Sequence, residues 1–393
     1  MYRLREIYIK DFRGFREEKI EFPEADMILL IGNNGTGKTS FFDALEWGFT
    51  GSLKRYESQK QRGNREVFLT NMYGSNGLVE IKLEREDKTN ILIRRESQLT
   101  RKNDFNPGKL FINGEKDKNI SELFVRDYPE KDFDFSSAFN FSHLLGQELI
   151  NSFIRSYNRP ERYTGLSNLT GAQSFSIYHD NLVLLRQSCE KKILDLNKRV
   201  KKYRIQIEKM KELIDKLQEV EKRVAVLICN LTEKTITPYK ELANQIYRKI
   251  NPHSFFDTID WERDSTDANN PTLVLKLKSK DGQQVNPSYI YSTGQINLIL
   301  LSLFLSFAVQ NNWSNLNCFF MDDPLQNMDY INIFSFVDVL RSILLNNPQA
   351  PQLFISTHDQ KIYSFLKKKF RMLNVCTLEF KSCGKNGPEL EIY

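Results

Sequence analysis

The strongest constraint on the fold is the segment GNNGTGKT at residues 32–39, which fits the pattern G-x-x-x-x-G-K-[ST] in full. An apolar run, MILLI, comes directly before it, and a helical pattern, SFFDALEWGF, comes directly after it. Glycines let the backbone N–H groups of such a loop close around phosphate oxygens at the start of a helix. The segment therefore predicts a buried strand, a phosphate-binding loop and a helix, in that order.

This loop has the side chains that a nucleoside triphosphate with Mg²⁺ needs. Lys38 is expected to reach the β and γ oxygens, and the Thr39 hydroxyl is expected to bind Mg²⁺. The residues predicted to contact the nucleotide are Asn33, Asn34, Gly35, Thr36, Gly37, Lys38, Thr39 and Ser40.

A second segment, CFFMDDPLQNMD at residues 318–329, ends an apolar run with two adjacent carboxylates. Mg²⁺ bound to a triphosphate needs a second anchor at the end of a neighbouring strand, and Asp322 is predicted to supply it. Hydrolysis needs a carboxylate that orients or deprotonates the attacking water, and Asp323 is the candidate. Without the glycine-rich loop, the pair would be interpreted as a helix N-cap.

Length and composition predict a globular protein. With 393 residues, 40% of them hydrophobic, the chain can form one large or two medium domains. The longest apolar run, residues 298–309, is interrupted by Ser302 and Ser306, and the N-terminus has no signal-peptide pattern. We therefore expect a soluble cytoplasmic protein without a membrane partner. The five cysteines are far apart, which favours neither a disulfide framework nor a zinc site.

The pattern divides the chain into three parts. Residues 1–175 have short strand patterns around the glycine-rich loop, and residues 237–393 alternate between strands and helices, which predicts an α/β fold. Residues 176–236 have apolar residues at alternating spacings of three and four, which predicts a coiled-coil arm; an amphipathic surface helix is the alternative. The heptad positions are Ile193, Leu196, Val200, Tyr203, Ile207, Met210, Ile214, Leu217, Val224, Ile228 and Leu231, with a break at Glu221.

The position at which the arm reverses is open. No glycine lies between Gly171 and Gly282, and no proline lies between Pro160 and Pro238. Either the helix reverses at a polar site such as Asn197, or a longer coiled coil has been shortened in this chain.

The order of five motifs is more specific than any one of them. GNNGTGKT, Gln147 in LLGQEL, YSTGQ, FFMDDPLQNMD and STHD follow one another, after an opening strand with DFRGF. This order resembles the head of an ABC-type ATPase of the SMC (structural maintenance of chromosomes) family and its double-strand-break-repair relatives, over nearly the whole chain. The resemblance implies an α/β P-loop NTPase head with an N-lobe at residues 1–175, a C-lobe at residues 237–393 and an inserted antiparallel coiled coil. It also implies ATP and Mg²⁺ as cofactors.

The resemblance implies roles for individual residues. Gln147 would be the Q-loop residue that touches Mg²⁺ and the attacking water, and His358 would be the switch histidine that contacts the γ-phosphate. Arg13 in DFRGF would lie near the nucleotide, and Arg62 is a candidate for the arginine loop behind the glycine-rich loop. Asp329 matches the D-loop, which crosses the dimer interface in this family.

A signature loop is also implied, and it would bind the γ-phosphate held by the other subunit. It consists of Ser292, Thr293, Gly294 and Gln295. Two ATP molecules would then be sandwiched in a homodimer of heads, and hydrolysis would separate the heads. Asp323 stands where most such heads have glutamate, which predicts slow turnover, and Thr293 adds a side chain to the signature loop. The arm has no hinge domain and no cysteine hook.

These features predict an ATPase that binds double-stranded DNA or DNA ends and controls a partner effector or nuclease. Basic residues of the arm, in KKILDLNKRVKKYR at residues 191–204, could neutralise DNA phosphates, although they equally fit a solvated helix face. The DDPLQNMD variant and RPERYTGLSNLTG at residues 159–171 look most like the SMC-like subunits of bacterial anti-phage systems such as Lamassu. That resemblance implies a sensor of foreign or broken DNA.

Three other functions remain open. A housekeeping DNA repair or chromosome-maintenance ATPase has the same motifs. A membrane-transporter ATPase subunit shares them too, but it has a compact helical subdomain where this chain has the heptad segment. The third is a structural coiled-coil protein whose ATP site regulates assembly, and ATP binding without hydrolysis would favour it.

Overall fold

A computed structural model describes most of the chain. The described residues are 1–53, 69–97, 108–116, 118–126, 135–146, 173–198, 204–251, 255–264, 272–311, 313–347 and 350–393. Gln147, Arg62 and the segment at residues 159–171 lie outside these ranges, so the roles given to them stay predictions.

Strands and helices alternate within both lobes. The strands are β1 Tyr2–Phe12, β2 Phe15–Glu21, β3 Met27–Gly32, β4 Leu78–Arg85, β5 Asn90–Glu96, β6 Lys109–Ile112, β7 Glu115–Lys116, β8 Leu144–Leu145, β9 Phe256–Asp264, β10 Thr272–Ser279, β11 Gln284–Val285, β12 Cys318–Met321, β13 Gln352–Thr357, β14 Val375–Gly384 and β15 Gly387–Ile392. The helices are α1 Lys38–Thr50, α2 Ile120–Phe124, α3 Phe135–Ser142, α4 Gln173–Lys198, α5 Arg204–Ile250, α6 Pro287–Ile290, α7 Thr293–Val309, α8 Tyr330–Asn346 and α9 Gln360–Lys369. Within the described ranges, no helix has both the length and the apolar character of a membrane span.

A six-stranded sheet in the order β15-β14-β3-β13-β12-β8 joins the two lobes. Strands β14, β3, β13, β12 and β8 are parallel to their neighbours in this row, and β15 is antiparallel to β14. The carboxyl ends of the parallel strands therefore meet at one edge of the sheet. Every residue of β3 and of β13 is buried, as in a sheet that is covered on both faces. The α/β fold predicted from the sequence is confirmed.

A second sheet, β2-β1-β4-β5-β6-β7, is antiparallel and packs on α1. Buried Arg95 of β5 donates from Nε to Gly48 O, 3.1 Å away, near the C-terminal end of α1. Burial lowers the pKa of Arg95 to about 10, and a cation beside the last carbonyls of a helix is favourable. The two sheets are joined through Gln352 of β13, whose side chain accepts from Leu4 N at 2.9 Å and donates to Leu4 O at 3.2 Å.

The long helix α5 contains a proline, Pro238, and continues through it to residue 250. The helix therefore runs across residues 236–237, where the sequence analysis set the boundary between the arm and the C-lobe. Proline removes one backbone hydrogen bond from a helix, yet the following turns bury Tyr239, Ala243 and Tyr247 in the core that includes α7. The packing of this face keeps α5 helical beyond the proline.

The apparent break of the heptad pattern at Glu221 is an ion pair between the two arm helices. The Oε2 of Glu221 in α5 accepts from the Nε of Arg186 in α4 at 3.0 Å, and the Glu221 side chain is only 4% exposed. Ile214 is buried on the same face, two turns earlier. Helix α4 ends at Lys198, one residue after Asn197, and α5 begins at Arg204, which agrees with a reversal close to this polar site.

Removing the cation from this ion pair is expected to loosen the arm. Arg186→Ala leaves the buried Glu221 carboxylate without its partner and should cost about 1–3 kcal/mol of arm stability, measured by hydrogen exchange of amides in α4 and α5. Replacing both residues by leucine should restore protection to the parent level or above it, because no charge is then buried.

The control is Lys216→Ala, which breaks an exposed pair with Glu212 on α5 and should leave exchange unchanged. Equal exchange in Arg186→Ala and the parent would contradict a structural role for the buried pair.

Candidate functional site

Three groups predicted from the sequence meet at the carboxyl edge of the central sheet. The glycine-rich loop follows β3, His358 follows β13, and the carboxylates of Asp322 and Asp323 follow β12. Because β13 lies between β3 and β12, the ends of these three strands are neighbours. We call this set of residues the strand-end site.

At Gly37 the backbone of the glycine-rich loop has a conformation that residues with a side chain rarely adopt. Gly37, directly before α1, has a φ of 112°, in the left-handed region. A Cβ at this position would lie 3.3 Å from the Cβ of Pro388, so β15 backs the loop closely. The Thr36 hydroxyl donates to Asn33 O at 2.8 Å and closes the loop from within. The exposed tip consists of Asn33, Asn34 and Gly35.

Lys38 points its ammonium group back over the loop. Its Nζ donates to Gly32 O at 2.5 Å and to Asn33 O at 2.8 Å, and the residue is 7% exposed. Burial lowers the pKa of Lys38, and the nearby carboxylates of Asp323 and Asp322 oppose that shift. The loop therefore carries a buried cation beside exposed backbone, which is suited to phosphate oxygens.

Ser356 of β13 contacts both aspartates, through the carboxylate of Asp322 and the backbone N–H of Asp323. Its hydroxyl donates to Asp322 Oδ1 at 2.8 Å and accepts from Asp323 N at 2.8 Å. Asp322 N donates in turn to Leu145 O at the end of β8, two residues before Gln147 in sequence. The sequence analysis gave no role to Ser356, for which the available signal was its place at the start of the STHD motif.

Asp323 and His358 form a direct pair. His358 Nδ1 donates to Asp323 Oδ2 at 2.6 Å, and Asp323 is 4% exposed. Asp323 has a φ of 49°, a conformation that L-residues adopt at a cost and that is frequent at functional sites. Burial raises the pKa of Asp323, and the hydrogen bond from His358 opposes that shift. The carboxylate is therefore oriented and is better able to take up a proton than an exposed aspartate.

The predicted signature loop begins α7 and lies against the predicted D-loop of the same chain. Ser292 caps the helix: its hydroxyl accepts from Gln295 N at 3.3 Å, and the Gln295 side chain accepts from Ser292 N at 3.0 Å. A Cβ on Gly294 would overlap the carbonyl oxygen of Asn327, so only glycine permits this approach. Ser292 and Gln295 are exposed, as is Asp329 at the start of α8.

Arg13 lies beside the helix that follows the glycine-rich loop. Its Nε pairs with Asp43 Oδ2 of α1 at 3.3 Å, and Arg13 itself has a φ of 51°. The next residue, Gly14, approaches the first turn of α1, because a Cβ there would lie 3.7 Å from Ser40 Oγ. The DFRGF turn is thus near the predicted nucleotide contacts.

The residues at the strand-end site fit a triphosphate with Mg²⁺. Asp322 offers a buried carboxylate beside the loop, and Thr39 offers a hydroxyl in the first turn of α1. Among the described residues, no group of three or more His, Cys, Asp or Glu side chains is arranged to hold a metal ion. Such a sparse set suits Mg²⁺, which takes one or two carboxylates together with phosphate and water oxygens.

Comparison with known proteins agrees with this geometry. The family described as an AAA domain matches residues 6–251, more than half of the chain. Over 83 residues, or 21% of this chain, the sequence is 31% identical to the DNA replication and repair protein RecF of Synechocystis sp.. That match spans only 20% of the length of RecF.

Solved structures of low identity share the fold across the chain. The Smc head domain with an extended coiled coil from Pyrococcus furiosus, bound to the C-terminal domain of ScpA, has a TM-score of 0.63 and 15% identity, and the likeness covers 100% of this chain and 96% of that one. RecF in the structure described as RecF-ATPrS has a TM-score of 0.59 and 13% identity, with 99% and 98% covered. The Smc head with a coiled coil and joint from Pyrococcus yayanosii has a TM-score of 0.62 and 12% identity, with 100% and 97% covered. The fold is therefore that of SMC and RecF heads, as the motif order predicted.

Removal of the Ser356 hydroxyl is expected to weaken nucleotide binding. Ser356→Ala leaves Asp322 Oδ1 and Asp323 N without this partner, so Mg²⁺-dependent binding of an ATP analogue should fall about tenfold, or by about 1.4 kcal/mol. The measurement is calorimetric titration with and without Mg²⁺. Ser364→Ala, which removes an exposed hydroxyl from α9, is the control. The prediction is wrong if the two variants bind equally well.

Proposed function

The chain belongs to the AAA-domain family, and from that membership we propose that it is an ATP-hydrolysing head that dimerises around two ATP molecules and acts on DNA. The observation that carries the proposal is the convergence of the glycine-rich loop, the Asp322–Asp323 pair and His358 on three adjacent strands. These groups can bind a triphosphate, hold its metal ion and take up the proton of an attacking water.

Each residue of the site has a role in this proposal. Lys38 and the loop N–H groups bind the phosphates, and Thr39, Asp322 and Gln147 would hold Mg²⁺, which neutralises phosphate charge when bound. Asp323 orients the attacking water and accepts its proton, because burial keeps this carboxylate more basic than usual. His358, held by Asp323 through Nδ1, is left with Nε2 to contact the γ-phosphate.

The second half of each ATP site is proposed to come from another copy of the chain. Ser292 and Gln295 are exposed at the N-terminus of α7, where helix N–H groups favour an anion. Thr293 and Gly294 complete this loop, and Asp329 would cross the interface beside it. Packing of Gly294 on Asn327 ties the signature loop to the D-loop, so both would respond together to the γ-phosphate.

The proposed partner is double-stranded DNA or DNA ends, with an effector or nuclease subunit that the head controls in the cytoplasm. The relative RecF is named as a DNA replication and repair protein, which supports DNA as the partner. Exposed Lys191 and Lys192 begin the basic run of the arm and would neutralise phosphates. Within this class we propose a role in anti-phage defence, because the DDPLQNMD and RPERYTGLSNLTG segments look most like those of SMC-like anti-phage subunits. A housekeeping repair ATPase is the alternative, favoured by the name of that relative.

Substitution of the proposed base is expected to separate binding from hydrolysis. Asp323→Asn keeps the shape of the side chain but cannot take up the proton, so the hydrolysis rate should fall about 100-fold or more while ATP binding persists and the closed dimer accumulates. Phosphate release and nucleotide titration would be measured on the same protein.

Two variants serve as controls for this experiment. Lys38→Ala should abolish ATP binding, and Asp338→Asn, which alters an exposed carboxylate on α8, should hydrolyse ATP at the parent rate. Equal rates for Asp323→Asn and the parent would remove Asp323 from its role.

Nucleotide is expected to change the mass of the particle. Light scattering with Mg²⁺ and a non-hydrolysable ATP analogue should show a shift from one chain to two, because the signature loop completes the site of the other copy. Ser292→Arg, which places a long cation in that loop, should bind nucleotide but remain a single chain. If the molar mass of the parent protein stays that of one chain when nucleotide is bound, the shared site is contradicted.

A further inference from the structure

We infer that the base of the nucleotide stacks on Tyr73, on the side of the glycine-rich loop opposite the hydrolytic residues. This inference rests on the proposed function, since it concerns the ATP held by the same loop. We define the base shelf as the turn at residues 71–74 together with Lys385, at the tip of the β14–β15 hairpin.

The order of strands sets the direction in which the nucleotide must lie. Asp322, Asp323 and His358 follow β12 and β13, on one side of β3, whereas β14 and β15 lie on the other side. The γ-phosphate must face the hydrolytic groups, so the nucleoside extends from the loop toward β14 and β15. The base shelf lies on that side.

Close contacts connect this side to the phosphate loop. A Cβ on Gly37 would lie 3.3 Å from Pro388 in β15. A Cβ on Gly14 would lie 3.7 Å from Ser40 Oγ in α1 and equally 3.7 Å from Cys383 Sγ in β14. The DFRGF turn and the β14–β15 hairpin therefore border the first turn of α1, where a nucleoside would leave the loop.

The turn at residues 71–74 is fixed to this border by hydrogen bonds. Asn71 N donates to Asp11 O at 2.8 Å, and Asn71 Nδ2 donates to Arg13 O at 2.8 Å. Tyr73 N donates to Asn71 Oδ1 at 3.0 Å. These hydrogen bonds hold the backbone that carries Tyr73 against the DFRGF turn. They occupy the side-chain amide of Asn71.

Tyr73 presents an aromatic ring that the described fold does not bury. The Nζ of Lys385 lies 5.3 Å from the ring centroid and covers one face. Tyr73 is nevertheless 52% exposed, so the other face and an edge of the ring remain open. A base stacked on that open face would place the Tyr73 ring between the base and Lys385.

Stacking on a ring predicts a preference for the size of the base. A purine covers more of the tyrosine than a pyrimidine does, and stacking discriminates little between adenine and guanine, because both have a comparable π-face. Tyr73 should therefore favour purine over pyrimidine nucleotides.

The test compares a ligand that has a base with one that has none. Calorimetry on the full chain would measure the binding of ATPγS and of inorganic tripolyphosphate to the protein, each in the presence of Mg²⁺. Tyr73→Ala should weaken ATPγS about tenfold, as expected for the loss of one base–aromatic stack, and should leave tripolyphosphate unchanged. Tyr73→Phe keeps the ring and should match the parent, as should Met372→Ala, which alters a 69% exposed residue outside the base shelf.

Three outcomes would overturn the inference. If Tyr73→Ala binds ATPγS as tightly as the parent, the base does not stack there. If it weakens both ligands equally, Tyr73 acts through the phosphate loop and not through the base. A parent protein that binds neither ligand would overturn the proposed ATP site and the base shelf together, whereas the first two outcomes leave the ATP site intact.

Discussion

Parallel backbone pairing of β3 between β13 and β14 is the interaction on which the rest of the structure depends. These strands come from opposite ends of the chain, so this pairing brings the glycine-rich loop to the residues that follow β12 and β13. Met27 and Leu29 of β3 pack in one core and Ile28 and Leu30 pack in the other, so a shift by one residue would exchange these side chains between the two cores. The position of Lys38 relative to Asp322 and Asp323 is therefore fixed by the sheet, and the N-lobe cannot form the site without the C-lobe.

Burial then sets the chemistry at that edge. Asp323 is removed from water, which makes its carboxylate more basic, while His358 holds that carboxylate by a hydrogen bond and Ser356 accepts one from the Asp323 backbone N–H. The same burial lowers the pKa of Lys38, and the carboxylates of Asp323 and Asp322 oppose that shift.

Local patterns predicted the elements well and their ends less well. The heptad pattern identified the helical arm, but Glu221 looked like a break because its partner, Arg186, lies 35 positions earlier on the other helix. The sequence analysis set a boundary between arm and C-lobe at residues 236–237, whereas α5 runs across it, because burial of Tyr239 and Tyr247 outweighs the hydrogen bond that Pro238 removes. Both differences arise from contacts with residues distant in sequence, which periodicity over a few turns does not contain.

Residue types at short, fixed spacings are enough to predict the strand, loop and helix around residues 32–39, the acidic end of β12 and the α/β class. They also predict Lys38, Asp323 and His358 as residues of the site. The tertiary structure alone places β13 between β3 and β12, joins the Asp322 carboxylate to the Asp323 backbone through Ser356 and sets the ring of Tyr73 against Lys385. The physical reason is that parallel strands are paired by packing and backbone hydrogen bonds between distant segments, and no local pattern of side chains specifies which strand becomes the neighbour.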